Sequence, residues 1–343
     1  MMNPRILSLG TAVPRFSATQ HEIIEYLGFT SKVSESIFRN TGIERRYTYI
    51  NPATFHQDPS WQQLMEHYGH GVVELGAKAA RDALGEIPLS AVGLLTFSSV
   101  TGYVCPAPSY ALAAELGLSE DISHTNILGQ GCQASVPNVQ RAYEWLKCRG
   151  AGFALTTTVE LCSCTYFPQH DESDLEWVVA ASIFGDGASA AVLGYSDDPR
   201  YPEIIDFESY FSKEYLDLLG YKWQDGRLKV ILDRRVPEVV PPAMRRVTER
   251  LLGRNGLGYR DIKNWMIHPG GKAVLENIEK ELGLSREQTW ASWEVMRKYG
   301  NMSSATLGFI ARAVQHRSPE PGYGIALTQG AGTAVNAMLL KWG

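Results

Sequence analysis

Three side chains able to do chemistry sit at glycine-marked turns of this sequence. The first is Cys132, in Gly129-Gln130-Gly131-Cys132-Gln133-Ala134-Ser135. Residues 125–128 before it read as a strand. Val136, Val139, Tyr143 and Leu146 after it keep helical spacing, with Pro137 suited to a first helical turn. A sulfur where a strand turns into a helix meets unpaired N–H groups and a positive dipole end, which favour a thiolate nucleophile. The flanking glycines leave room for a bulky thioester against the backbone. A buried structural cysteine is the competing reading. His268 ends the apolar run Trp265-Met266-Ile267, just before Pro269-Gly270-Gly271. There it could pass protons near neutral pH, or simply hydrogen-bond within the turn. Asn301 lies in Tyr299-Gly300-Asn301-Met302-Ser303-Ser304-Ala305, ahead of a small-residue helix. Its amide could donate to a thioester or enolate oxygen, or cap that helix.

The elements that must hold these residues alternate in type. Short apolar runs at 5–9, 93–97, 153–159, 188–193, 264–267 and 324–327 read as strands, and residues 70–84 and 240–252 carry helical spacing. Such alternation predicts an α/β fold around a largely buried sheet. At 343 residues the chain is long enough for two packed halves. The polar stretch 194–201, GYSDDPRY, is the expected junction, giving halves of 1–197 and 198–343. Residues 206–235, mixed in charge and aromatic content, read as an irregular insert over a pocket or on the surface.

Composition excludes several classes. Apolar residues at 44% and charged residues at 20% describe a globular chain, and a net charge of −5 offers no general basic surface for nucleic acid. No apolar run approaches the roughly 20 residues that span a bilayer, and the N-terminus has no secretory pattern. Five cysteines make no disulfide framework. A cytoplasmic enzyme is expected. Cys162 and Cys164 have no metal-binding partner nearby in sequence, and His124 and the other histidines read as structural or surface residues.

Taken together, GQGC, HPGG and YGNMSSA resemble the motifs around the catalytic Cys, His and Asn of the chalcone-synthase-like (type III) polyketide synthases, within the thiolase superfamily. Ile183-Phe184-Gly185-Asp186-Gly187 is similar to the family's FGDG turn, with Phe184 at a gatekeeping position. Thr41-Gly42-Ile43-Glu44-Arg45-Arg46-Tyr47 and Glu160-Leu161-Cys162-Ser163 match as well. The resemblance implies a thiolase-like, five-layered αβαβα sandwich of two similar halves, in a homodimer. It implies Cys132, His268 and Asn301 as catalytic residues, with Cys132 from the first half and the others from the second. It also implies a Claisen condensation of two acyl thioesters through a Cys132-bound acyl group, with no tightly bound cofactor and no metal. Thr165 and Ser303 match small polar cavity positions. Cys105 matches a residue that reaches the neighbouring subunit's cavity.

The sequence also departs from the family. Where its coenzyme-A-binding members carry basic residues, this chain has Val33, Ser36 and Asn40, so thioesters of an acyl carrier protein are an alternative to coenzyme A. Val230 replaces a second gatekeeping Phe. The C-terminal loop reads Thr328-Gln329-Gly330-Ala331-Gly332 without the usual Phe and Pro. These departures are similar to stand-alone ketosynthases of the myxopyronin and corallopyronin kind, which join two carrier-bound β-ketoacyl chains into an α-pyrone. The fatty-acid-initiating 3-oxoacyl carrier-protein synthase shares the three roles. Hydroxymethylglutaryl-type synthases need an acidic base, which none of the motifs clearly supplies. A catalytically inactive carrier-protein-binding module is the reading from another class.

Overall fold

Apolar runs punctuated by glycine and proline form the strands, and the longer periodic stretches form the helices. In the computed structural model, which describes residues 2–54, 59–165, 172–224 and 227–343, the chain begins with β1 (Arg5–Ala12), β2 (Phe16–Thr19), α1 (Gln20–Leu27), α2 (Lys32–Asn40) and β3 (Arg45–Thr48). It continues through α3 (Trp61–Leu84), β4 (Val92–Ser99), α4 (Pro108–Leu116), β5 (Ser123–Leu128), α5 (Ser135–Arg149), β6 (Phe153–Glu160), α6 (Leu175–Ile183) and β7 (Gly187–Gly194). Next come β8 (Glu203–Tyr210), β9 (Leu219–Gln224), β10 (Arg227–Leu232), α7 (Val236–Arg254), β11 (Ile262–Ile267) and α8 (Lys272–Leu282). The chain closes with α9 (Trp290–Tyr299), α10 (Thr306–His316), β12 (Gly322–Gln329) and β13 (Val335–Trp342).

The main sheet has two parts of similar design. One has the strand order β5-β4-β6-β7-β1 and the other β11-β12-β13-β8, joined by the single pairing of Arg5 with Glu203. In each part, parallel strands (β5, β4 and β6; β11 and β12) continue into antiparallel ones (β7 and β1; β13 and β8). Helices α5 and α10 touch strands of both parts and form the middle layer. On the outer faces, α3 and α4 cover the first part, and α7 with α8 covers the second. The result is the five-layered αβαβα sandwich. One core cluster lies within the middle layer, where Val136, Ala142 and Leu146 pack with Met266, Ile310 and Met338. No helix among the described residues is long and apolar enough to cross a membrane.

Each strand expected from sequence is present and extends a few residues further. Helix α3 begins at Trp61, nine residues before the expected start, because Ser60 and Gln63 form a capping box there. Helix α7 tolerates Pro241 in its interior. The Pro237 carbonyl, which Pro241 cannot bond, instead accepts from Asn277 Nδ2 at 2.8 Å. The expectation for 206–235 is corrected. This segment holds the end of β8 and the β9–β10 hairpin, whose outward Lys222 and exposed Trp223 hide the alternation. Residues 225 and 226 lie outside the described residues.

Candidate active site

Strand β5 delivers Cys132 through a turn in which Gly129 (φ 74°) and Gly131 (φ 61°) take left-handed backbone. Cys132 occupies a short 3-10 turn immediately before α5. The loop after β12 packs directly behind it. A Cβ added to Gly330 would lie 2.9 Å from the Cys132 nitrogen and 2.6 Å from the Gln133 nitrogen. Gln133 ties the two segments together. It donates from Nε2 to the Ala331 carbonyl (3.3 Å), and its Oε1 accepts from Asn336 Nδ2 (2.5 Å).

His268 follows β11, its backbone N–H donating to the Leu327 carbonyl at 2.8 Å. Asn301 follows Gly300, which is held at φ 72°. Its backbone bridges that of Phe184, Asn301 N donating to the Ile183 carbonyl and Gly185 N to the Asn301 carbonyl. The carboxamide is fixed at both ends. Nδ2 donates to the Gly270 carbonyl at 2.7 Å, and Oδ1 accepts from Ser303 N at 2.8 Å.

Cys132, His268, Asn301 and Phe184 line one cavity of about 640 Å³, whose walls are otherwise largely apolar, with Ile37, Val179, Leu219, Leu232 and Val274 among them. Cys132 is half-buried, its surface opening on this chamber. Burial pushes its thiol up to about 12, with the neighbouring Ser303 and Asn301 side chains opposing the rise. Burial also pushes the His268 imidazole down to about 3. Neither ring nitrogen has a hydrogen-bond partner among the described residues. The expectation of a thiolate beside the histidine is therefore corrected. Burial favours the thiol and the neutral imidazole, and neither ring nitrogen is hydrogen-bonded to the sulfur.

The other expected residues divide. Ser303 is buried against Cys132 and donates to Glu160 at 3.2 Å. Val230, on β10, packs in the cluster that holds Phe184 and Cys132. Thr165 Oγ1 donates to the Cys162 carbonyl (2.8 Å) and lies beside Tyr221. Cys105 is exposed on the loop before α4 and is not among this chamber's lining residues. Cys162 and Cys164 are buried and free, and His124 stacks on Tyr110. His56 and His170 lie outside the described residues.

Two residues received no role from the sequence. Glu160 is fully buried at the end of β6, accepting from Val100 N (3.0 Å), Thr101 (3.1 Å), Ser303 and Ser304. Burial lifts its carboxyl to about 6. The site therefore does hold an acidic group behind Ser303, and a carboxylate ending an otherwise uncharged strand was the available signal. Tyr221 had none, because its hairpin was unread. The motifs also prove to be one network. Arg46 Nη1 donates to the Phe184 carbonyl (2.6 Å), Asp186 N donates to the Tyr47 carbonyl (2.8 Å), and Asp186 accepts from Ser163 N (2.8 Å).

Comparison with known proteins agrees with this architecture. Residues 3–199 match the N-terminal domain, and residues 217–342 the C-terminal domain, of the chalcone and stilbene synthases. A 3,5-dihydroxyphenylacetyl-CoA synthase of Streptomyces toyocaensis is 31% identical, over 99% of this chain and 90% of that protein. An alpha-pyrone synthesis polyketide synthase-like protein of Mycobacterium tuberculosis is 30% identical, over 88% of this chain and 80% of its own length. In fold, the crystal structure of PKS-I from the brown alga Ectocarpus siliculosus superposes with a TM-score of 0.93. It covers 100% of this chain and 99% of that one at 23% identity.

Proposed function

Because this chain belongs to the chalcone and stilbene synthase family, polyketide synthases that join acyl groups by Claisen condensation on a thiolase-like fold, we propose that Cys132, His268 and Asn301 are its catalytic residues. The halves 1–197 and 198–343 then supply the sulfur and the two donors respectively. His268, held neutral, takes the Cys132 proton as the sulfur attacks a thioester carbonyl. The donor's thiol leaves with that proton, and the acyl group stays on sulfur. A second thioester places its carbonyl oxygen between Asn301 Nδ2 and the imidazole. Loss of carbon dioxide or a proton from its second carbon gives an enolate stabilised by both donors. The enolate carbon attacks the Cys132-bound acyl carbon, and the sulfur leaves as the thiolate and is reprotonated. The observation that carries this reading is the convergence of a sulfur, an unpartnered imidazole and a doubly fixed carboxamide on one largely apolar chamber.

The two acyl groups are 3-oxoacyl chains delivered on acyl carrier proteins, and their joined product closes to an α-pyrone. Small Val230 and the Gln329-Gly330-Ala331 loop favour a wide chamber. The mouth near α2 has Asn40 where coenzyme-A-dependent members have a base, while Arg234 and Lys272, which line the same cavity, offer charge to a carrier's phosphopantetheine phosphate. The protein acts as a homodimer. Exposed Tyr103, Tyr110 and Leu128 lie near Cys105 and the sheet-edge strand β5 and suit a covered face.

Product analysis with paired 3-oxoacyl thioesters tests the reading. A carbon–carbon-joined pyrone is expected, formed faster from carrier-bound than from coenzyme-A-bound donors and without malonyl thioester. Strict dependence on malonyl thioester contradicts the pairing, and an equal yield from Cys132→Ala contradicts the chemistry.

A further inference from the structure

Gln329 is the last residue of β12, directly before the loop that braces Cys132. It is 2% exposed, yet neither Oε1 nor Nε2 has a hydrogen-bond partner among the described residues. Buried amides are ordinarily satisfied, so a side chain held this way has a partner that arrives later. Its place shows where. Gln329 lines the same chamber as Cys132, His268 and Asn301. A Cβ added to Gly270 would lie 2.6 Å from its Nε2, and the carbonyl of that same glycine receives Asn301 Nδ2. The two amides therefore flank one residue, and both border the chamber that Cys132 opens on. The backbone fixes it there, since Gln329 pairs with Val335 and the next loop residue but one, Ala331, donates from its N to the Gln130 carbonyl.

We propose that Gln329 is a specificity-determining residue, donating a hydrogen bond to an oxygen on the third carbon of the acyl chain in thioesters that react at Cys132. The ligand class is the thioester with a 3-oxo or 3-carboxylate oxygen, and a plain saturated acyl group leaves the amide unsatisfied. A neutral amide suits a chamber with apolar walls, because it meets either oxygen without bringing in a charge. This inference rests on the proposed acylation of Cys132.

The test compares wild type with Gln329→Met, which keeps length and removes the amide, and with Gln329→Leu as a second apolar variant. Thermal melting checks that both fold. The kcat/KM for Cys132 acylation is measured with 3-oxoacyl and saturated thioesters of equal length. A separate arm measures condensation of a preloaded saturated chain with malonyl thioester. The expected result is an about tenfold fall in preference for the 3-oxoacyl over the saturated donor, with saturated loading nearly unchanged. A fall in the malonyl arm instead assigns the amide to the carboxylate oxygen. Unchanged kcat/KM in the 3-oxoacyl and malonyl arms overturns the inference, as does equal loss on saturated donors, which marks a merely structural role. If the wild-type protein acquires no acyl group on Cys132 from any donor, the proposed chemistry fails and this inference falls with it.

Discussion

At the scale of the residue, burial decides the state of the reacting groups more than any single neighbour does. Burial favours the neutral form of both Cys132 and His268, so in the proposed reaction charge develops only as the sulfur meets a thioester. The imidazole also leaves a signature in stability. With its folded pKa depressed to about 3 from 6.5, the unfolded chain binds a proton there that the native chain does not. Stability from this group is complete above pH 6.5 and is lost as pH falls toward 3. His268→Asn removes the effect, and urea unfolding of the variant should show about 1–2 kcal/mol less loss between pH 7 and pH 5 than wild type. Equal losses would refute the buried neutral state. Glu160 and Asp186, both raised to about 6 by burial, act in the opposite sense in each protein and cancel from the comparison. Asn301 predicts a sharper effect on chemistry. Asn301→Ala should still load an acyl group but condense about 100-fold more slowly, measured by single-turnover product formation.

At the scale of the element, the site depends on close backbone approach as much as on side-chain choice. Gly308 brings α10 against β7, where an added Cβ would lie 2.3 Å from the Ser189 Cβ. Gly308→Ala should cost about 1–3 kcal/mol in chemical denaturation, and adding Ser189→Gly should recover much of it. No change in the single variant would show the contact to be slack. The elements readable in sequence were those whose apolar period is uninterrupted: the central strands, and helices α3, α5, α7 and α10 apart from their ends. The β9–β10 hairpin was unreadable, because it lies against the chamber on one side and carries Lys222 and Trp223 on the other. Cys132, His268 and Asn301 were legible because each follows a strand or helix at a glycine turn. Glu160 was present in a matched motif, but its link to Ser303 and Ser304 joins residues more than 140 positions apart. No local pattern reports such a contact. The burial that raises the Cys132 thiol was illegible for a related reason, since the helix terminus is visible in sequence and the enclosing protein is not.

At the scale of the whole molecule, the two parts of the sheet share one middle layer and one reaction chamber. Val136 and Leu146 from α5 pack with Met266, Ile310 and Met338 from the second half, and Gln133 and Asn336 join across the same boundary. Calorimetry should accordingly show a single cooperative transition with matching calorimetric and van't Hoff enthalpies. Two separate transitions would mean that the halves fold independently. The proposed chemistry draws on the same convergence, taking its sulfur from one half and its imidazole and carboxamide from the other. The most direct measurement is intact-protein and peptide mass spectrometry after brief exposure to a 3-oxoacyl thioester without a second substrate. The account predicts one added acyl mass, mapped to the peptide that carries Cys132, absent from Cys132→Ala and still formed by Asn301→Ala. An adduct that persists in Cys132→Ala, or one mapped to another residue of the wild-type chain, would contradict it.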